Sequence, residues 1–235
     1  MEQSKKLLSK LEYIEKVNII GQQPEYMIIW LHGLGADYND FVPIIKELNL
    51  NICVKFVFPN APERPITINN GYIMRAWYDI RDLTKLGDTV DRYGINDSVS
   101  QIEDLIALFM NEGWKSEKII LAGFSQGGVI SYITALTTKY KLGGVLALSC
   151  YLPGIDELVN KDLVVNKRTA ILACHGKHDM VVPYDAGLSV YNRLRGHGYN
   201  ISWMHYPIAH GVCSEELADI SLWLKDILFH IQTPV

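Results

Sequence analysis

The feature that most restricts how this 235-residue chain can fold is the rhythm of its apolar runs. YMIIWLH (26–32), CVKFVFP (53–59), KIILAG (118–123), GGVLALSC (143–150), TAILACHG (169–176) and ISWMHYP (201–207) are short and rich in apolar and β-branched residues. Runs of this kind, apolar on both faces, predict buried strands of a parallel sheet. Helical spacing fills the gaps between them. Over 96–111, Val99, Ile102, Ile106 and Phe109 or Met110 fall on one face, and Gly113 follows. Segments 126–140 and 184–196 carry similar patterns, and 213–231 aligns Leu217, Ile220, Leu224 and Ile227. This alternation predicts an α/β architecture: a mainly parallel sheet, right-handed crossovers and helices on both faces.

No repeat, low-complexity stretch or linker divides the chain, so one domain over 1–235 is expected. The N-terminal segment 1–25 is expected to supply an edge strand within 10–20. The region 60–95 breaks the rhythm. It is long and rich in Pro, Asn, Asp and Arg, and long structured loops in compact domains are commonly functional.

Charge and cysteine usage narrow the classes of partner. The formal net charge is -4 and basic residues cluster no further than pairs such as Lys5-Lys6. An electrostatic footprint for nucleic acid is therefore absent from the sequence. Cys53, Cys150, Cys174 and Cys213 form no C-x-x-C pair, and three of them sit in apolar runs. They are expected to be reduced thiols in a cytoplasmic protein. No apolar stretch approaches the ~18 residues of a membrane span. Oligomeric state is left open.

The chemistry is expected around Gly123-Phe124-Ser125-Gln126-Gly127. A G-x-S-x-G pattern between a strand and a helix matches a nucleophile elbow, where a strained turn lifts the serine Oγ above the sheet edge. An ordinary strand–turn–helix junction is the competing explanation of the motif alone. A serine nucleophile needs a histidine to take its proton and a carboxylate to fix the histidine tautomer. His210 follows the last predicted strand and precedes the last helix, which is where such a base belongs. His205, inside the strand pattern, and His197 and His230, near helix ends, are weaker candidates. Asp179 follows the preceding strand directly; Asp185 falls where a helix dipole alone would favour an acid. His175 and His178 beside Asp179 also permit a metal site, but no second ligand cluster supports one, and no metal or other cofactor is expected. After the first long strand, His32-Gly33-Leu34-Gly35 is a glycine turn suited to supply an oxyanion donor, for which Leu34 N–H is chosen. Gln126 N–H, directly after the serine, is the second.

Taken together, LHGLGADYNDF, FPNAPERPITINNGYIMRAWYDI, GFSQGG, CHGKHDMVVPYDAG and YPIAHGVCSEE resemble the carboxylesterase/lysophospholipase/acyl-protein thioesterase branch of the α/β-hydrolases. The resemblance spans nearly all of 26–230. It implies Ser125 as nucleophile, His210 as general base and acid, Asp179 as orienting acid, and Leu34 and Gln126 backbone N–H groups as the oxyanion hole. It further implies a serine esterase or thioesterase acting on an acyl ester, a lysophospholipid or an acylated protein. Trp77 matches a tryptophan that these enzymes place near the acyl site. Met74, from the same segment, and Leu152, after another strand end, are expected to join it in binding substrate. One departure stands out: Ala36 occupies a position where thioesterases of this branch often carry Asp.

Overall fold

The computed structural model describes residues 11–82, 90–159 and 165–232. A seven-stranded sheet runs in the order β1-β3-β2-β6-β7-β8-β9. Its members are β1 (Tyr13–Val17), β2 (Tyr26–Leu31), β3 (Val54–Pro59), β6 (Ile119–Phe124), β7 (Gly144–Leu148), β8 (Ile171–Gly176) and β9 (Ile201–Tyr206). All neighbours are parallel except β1, which runs antiparallel to β3 at the edge. The helices are α1 (Ile44–Glu47), α2 (Arg92–Asn111), α3 (Gln126–Thr137), α4 (Ile155–Val159), α5 (Tyr184–Gly196) and α6 (Ser214–Gln232).

Side-chain alternation along β2 divides the core into two layers. Met27, Ile29 and Leu31 point to one face, where Ile102, Ile106 and Phe109 of α2, Val129 and Ile130 of α3 and Leu194 of α5 cover them. Tyr26, Ile28 and Trp30 point to the other, beneath Ile44 of α1 and Ile220, Leu224 and Leu228 of α6. Every residue of β2 is buried, so the strand has no polar side and reads as a continuous apolar run. By contrast, β9 is the other edge strand, and Ser202 and His205 are exposed. Its apolar run predicts burial on both faces; an edge position leaves it half-covered.

The region 60–95 holds more regular structure than its composition indicates. β4 (Glu63–Ile66) and β5 (Tyr72–Arg75) form an antiparallel hairpin, with Ile66 opposite Tyr72 and Glu63 opposite Arg75. Alternation is too short in either strand to register as a pattern. Helix α2 begins at Arg92, earlier than the apolar spacing indicates, because the Asp91 side chain caps it by accepting the Gly94 N–H at 3.0 Å. Helix α3 stops at Thr137, ahead of the expected Tyr140, where Thr138 turns extended. Residues 83–89 of this region lie outside the described residues.

One buried acid makes stability depend on pH. Glu216, in the first turn of α6, is fully buried, and neither carboxylate oxygen meets a well-aligned donor. Burial pushes its pKa from the ordinary 4.5 up to about 8, only partly offset by the nearby Cys213 N–H. The folded chain therefore keeps a proton that the unfolded chain releases above about pH 4.5. The stability this contributes is whole below pH 4.5 and is lost as pH rises through about 8. Glu216→Gln, which stays neutral, is expected to gain roughly 2 kcal/mol or more on the native chain between pH 5 and pH 9. Urea titrations of both chains at the two pH values measure it, and parallel profiles would contradict it.

Candidate active site

The sheet and α3 meet at Ser125 in a turn that leaves no room for side chains. A Cβ on Gly123 would stand 2.3 Å from the Gly127 carbonyl carbon and oxygen. One on Gly127 would stand 2.4 Å from the Leu31 oxygen and 2.6 Å from the His32 oxygen. Both neighbours are backbone and cannot yield, so the spacing of the two glycines is a steric requirement. Between them Ser125 takes φ 53°, ψ −117°. For a non-glycine residue that conformation costs about 1–3 kcal/mol. It is held from both sides, by Ser125 N–H donating to the Leu148 oxygen at 2.8 Å and Val129 N–H donating to the Ser125 oxygen at 3.2 Å.

Ser125, Asp179 and His210, far apart in the chain, come together in one hydrogen-bonded line. His210 Nε2 lies 3.0 Å from Ser125 Oγ, and His210 Nδ1 lies 2.7 Å from Asp179 Oδ2. The carboxylate can only accept, so Nδ1 carries the proton and Nε2 is free to accept from the serine. Asp179 is aimed by its own loop: Oδ1 accepts the backbone N–H groups of Val181 at 2.9 Å and Val182 at 2.8 Å. Its side chain is fully buried, while that of His210 keeps 17% exposure. Phe124 packs on the imidazole with ring centroids 4.8 Å apart.

His175 lies beneath this line. It is fully buried, with Nε2 donating to the Val182 oxygen at 2.9 Å and 3.5 Å from Asp179 Oδ2. Burial pushes its pKa down, so it braces the Asp179 loop as a neutral ring. His178 is exposed, and among the described residues no group of three or more His, Cys, Asp or Glu is placed to hold a metal ion. His197 and His205 are exposed, and the His230 side chain lies outside the described residues.

Leu34 and Gln126 N–H groups have no intramolecular acceptor among the described residues. Both residues line a cavity of about 460 Å³ together with Ser125 and His210. Ile68, Ile80, Tyr78, Phe124, Tyr151 and Val181 make its walls largely apolar. Burial raises the pKa of the Tyr78 and Tyr151 phenols, so their 3.4 Å hydroxyl pair is uncharged.

The three residues expected to bind substrate do not line this cavity. Trp77 is wholly buried and held by its polar atoms: its N–H donates to Gln126 Oε1 at 2.8 Å and its Nε1–H to the His32 oxygen at 2.9 Å. Its carbonyl accepts from Ser98 Oγ. Leu152 is 5% exposed and belongs to the core. Met74 packs behind the glycine turn, its sulfur 3.5 Å from where a Gly35 Cβ would stand. Apolar side chains next to an active site are as often scaffold as wall, and their sequence does not separate the two.

The Gln126 side chain has a second use that the sequence does not signal. Besides the Trp77 bond, its Nε2 donates to the Tyr78 oxygen at 2.6 Å. The amide thus clamps segment 77–78, which follows the hairpin, to the start of α3. Gln126→Ala keeps the backbone donor but leaves two buried backbone groups unpaired, a cost of about 2–4 kcal/mol. Urea denaturation is expected to register that loss. Activity is expected to fall about tenfold by loosening of the cavity wall, far less than on removal of the serine. Unchanged stability would contradict the clamp.

Comparison with known proteins gives a consistent result. The phospholipase/carboxylesterase family model matches residues 13–228. Acyl-protein thioesterase 1 of Yarrowia lipolytica is 36% identical over 208 residues, covering 85% of this chain and 90% of that protein. Carboxylesterase SOBER1 of Arabidopsis thaliana is 31% identical over 202 residues, covering 84% and 89%. The crystal structure of SOBER1 matches with a TM-score of 0.80 at 30% identity, over 86% of this chain and 99% of that one. An α/β-hydrolase sheet, an elbow serine and a family match over almost the whole length lead to one conclusion: the chain belongs to the phospholipase/carboxylesterase family.

Proposed function

We propose that the chain is a serine hydrolase that cleaves carboxylic esters or thioesters of small to medium acyl chains through an acyl-enzyme. The observation that carries this is His210 bridging Ser125 Oγ at 3.0 Å and Asp179 Oδ2 at 2.7 Å. Ser125 Oγ attacks the acyl carbonyl carbon and passes its proton to His210 Nε2. The carbonyl oxygen becomes an oxyanion held by the Leu34 and Gln126 N–H groups; each such donor is worth about 3–4 kcal/mol in comparable sites. As the intermediate collapses, the C–O or C–S bond breaks and His210 protonates the leaving alcohol or thiol. Water then attacks the acyl-enzyme, gives its proton to His210, and releases the acid as Ser125 Oγ regains a proton. Asp179 holds the imidazole in the tautomer both halves need.

The apolar cavity walls suit an acyl chain, and the relatives' names bring acylated proteins, and the family's description phospholipids, within the substrate class. Ala36 lines the cavity, where thioesterases of this branch often carry a carboxylate; this favours a broad ester range over a dedicated protein thioesterase. The free cysteines suit a reducing compartment, and the cytoplasm is the proposed setting. Among the described residues no helix is long and apolar enough to cross a membrane.

The test is a kinetic series of p-nitrophenyl esters, acyl thioesters and lysophospholipid from short to long chains. Wild type is expected to turn over esters and thioesters with a chain-length optimum, and Ser125→Ala to lose at least ~10⁴ in kcat. Undiminished turnover by Ser125→Ala would exclude the mechanism. A lack of preference among chain lengths would exclude the cavity as the acyl site.

A further inference from the structure

The two oxyanion donors differ in how they are held. Gln126 N–H opens α3 and is oriented by the helix itself. Leu34 N–H belongs to a loop peptide between β2 and α1, outside any regular element. We propose that His32 is the positioning residue for this second donor: by holding the Gly33 carbonyl it fixes the Gly33–Leu34 peptide plane and aims the Leu34 N–H at the oxyanion. The inference rests on the serine-hydrolase function proposed above.

Among the described residues no peptide bond is cis, so the Gly33 C=O and the Leu34 N–H are opposite ends of one rigid trans plane. His32 Nδ1 lies 2.7 Å from the Gly33 oxygen. Holding that oxygen therefore sets the direction of the N–H on the other side. The ring is itself immobilised. It is 1% exposed, its Nε2 accepts the Ala61 N–H at 3.0 Å, and it packs on Trp77 with centroids 5.4 Å apart. Trp77 Nε1–H also donates to the His32 oxygen at 2.9 Å, and Trp77 in turn is tied to the Gln126 side chain at 2.8 Å. One chain of bonds thus spans the two donors and sets the distance between them.

The protonation state follows from the partners. An amide N–H can only donate and a carbonyl can only accept, so Nε2 is bare and Nδ1 carries the proton. Only the neutral ring meets both demands. Burial, the largest influence on His32, lowers its pKa and keeps it in that form. The Gly33 oxygen has one other hold, a longer bond from Ala36 N–H at 3.3 Å. Loss of His32 therefore loosens the peptide rather than freeing it. His32 does not line the cavity, so its action on the reaction goes through Leu34.

Two substitutions separate the bonds of the ring. His32→Gln places an amide oxygen near the Nε2 position and keeps the Ala61 bond, but leaves the Gly33 oxygen untethered. His32→Asn places an amide nitrogen near the Nδ1 position and keeps the tether. With p-nitrophenyl ester as substrate, H32Q is expected to lose ten- to a hundredfold in kcat, below the 10²–10³ of a deleted donor. Its KM is expected to stay within about twofold, since the donor serves the transition state. The inhibition constant of an alkyl boronic acid, which forms a tetrahedral adduct on the serine, is expected to rise by the same factor. H32N is expected to remain within about fivefold of wild type. Folded H32Q with wild-type kcat and boronate affinity overturns the proposal. So does equal loss in both variants with KM moving alongside kcat, which would mean the ring only packs. Should H32Q not fold, the imidazole 15N shifts of the wild-type chain decide: an Nδ1–H tautomer supports the tether and an Nε2–H tautomer overturns it. If the wild type neither turns over esters nor binds the boronate, it is the hydrolase function that fails, and the role of His32 falls with it.

Discussion

The structure depends on one close approach of backbone to backbone. At the C-terminal end of the sheet, the turn from β6 into α3 passes against the end of β2 at distances only glycine permits, with Gly127 facing the Leu31 and His32 carbonyl oxygens. That approach brings three things to one place. It holds Ser125 at a positive φ above the sheet edge, sets the Gln126 N–H at a helix start, and draws the His32–Gly35 turn alongside. The parallel sheet supplies the rest, because each strand to the right of β6 ends at the same edge. Asp179 follows β8 and His210 follows β9, so their loops converge on the serine without any long excursion of the chain.

Around that approach lies a scaffold of uncharged polar groups. His32 and His175 are both buried rings whose pKa burial lowers, and each is joined to backbone carbonyls of the loops they brace. The Gln126 amide and the Trp77 indole link the hairpin exit to the elbow and to the glycine turn. Neutral hydrogen bonds in a dry interior fix direction without the desolvation cost of a buried charge. The groups that touch the cavity can then be few.

Much of the sheet was legible in the amino-acid order. β2, β3, β6, β7 and β8 are buried on nearly every position, so each announces itself as an apolar run. Their alternation with helical spacing leaves few topologies open. Ser125, Asp179 and His210 could be singled out as candidates because a strand end precedes each of them, which is a matter of chain order. The hairpin of β4 and β5 was hidden by strands of four residues each. The half-exposed edge of β9 was hidden because composition does not encode neighbours. Trp77, Met74 and Leu152 are not among the residues lining the cavity, a distinction the sequence does not carry: apolar character says that a side chain is buried, and not whether a cavity lies beside it. The Ala61 bond of His32 and the Trp77 bond of the Gln126 amide span 29 and 49 positions, and one sequence carries no sign of them.

In the proposed mechanism Ser125 Oγ, activated through His210, is the reacting atom. Mass-spectrometric mapping of a fluorophosphonate adduct tests it most directly. One adduct per chain is expected, on Ser125, formed in the wild type and slowed roughly a hundredfold or more in His210→Ala. An adduct on any other residue, or equal labelling of Ser125 in both chains, would contradict it.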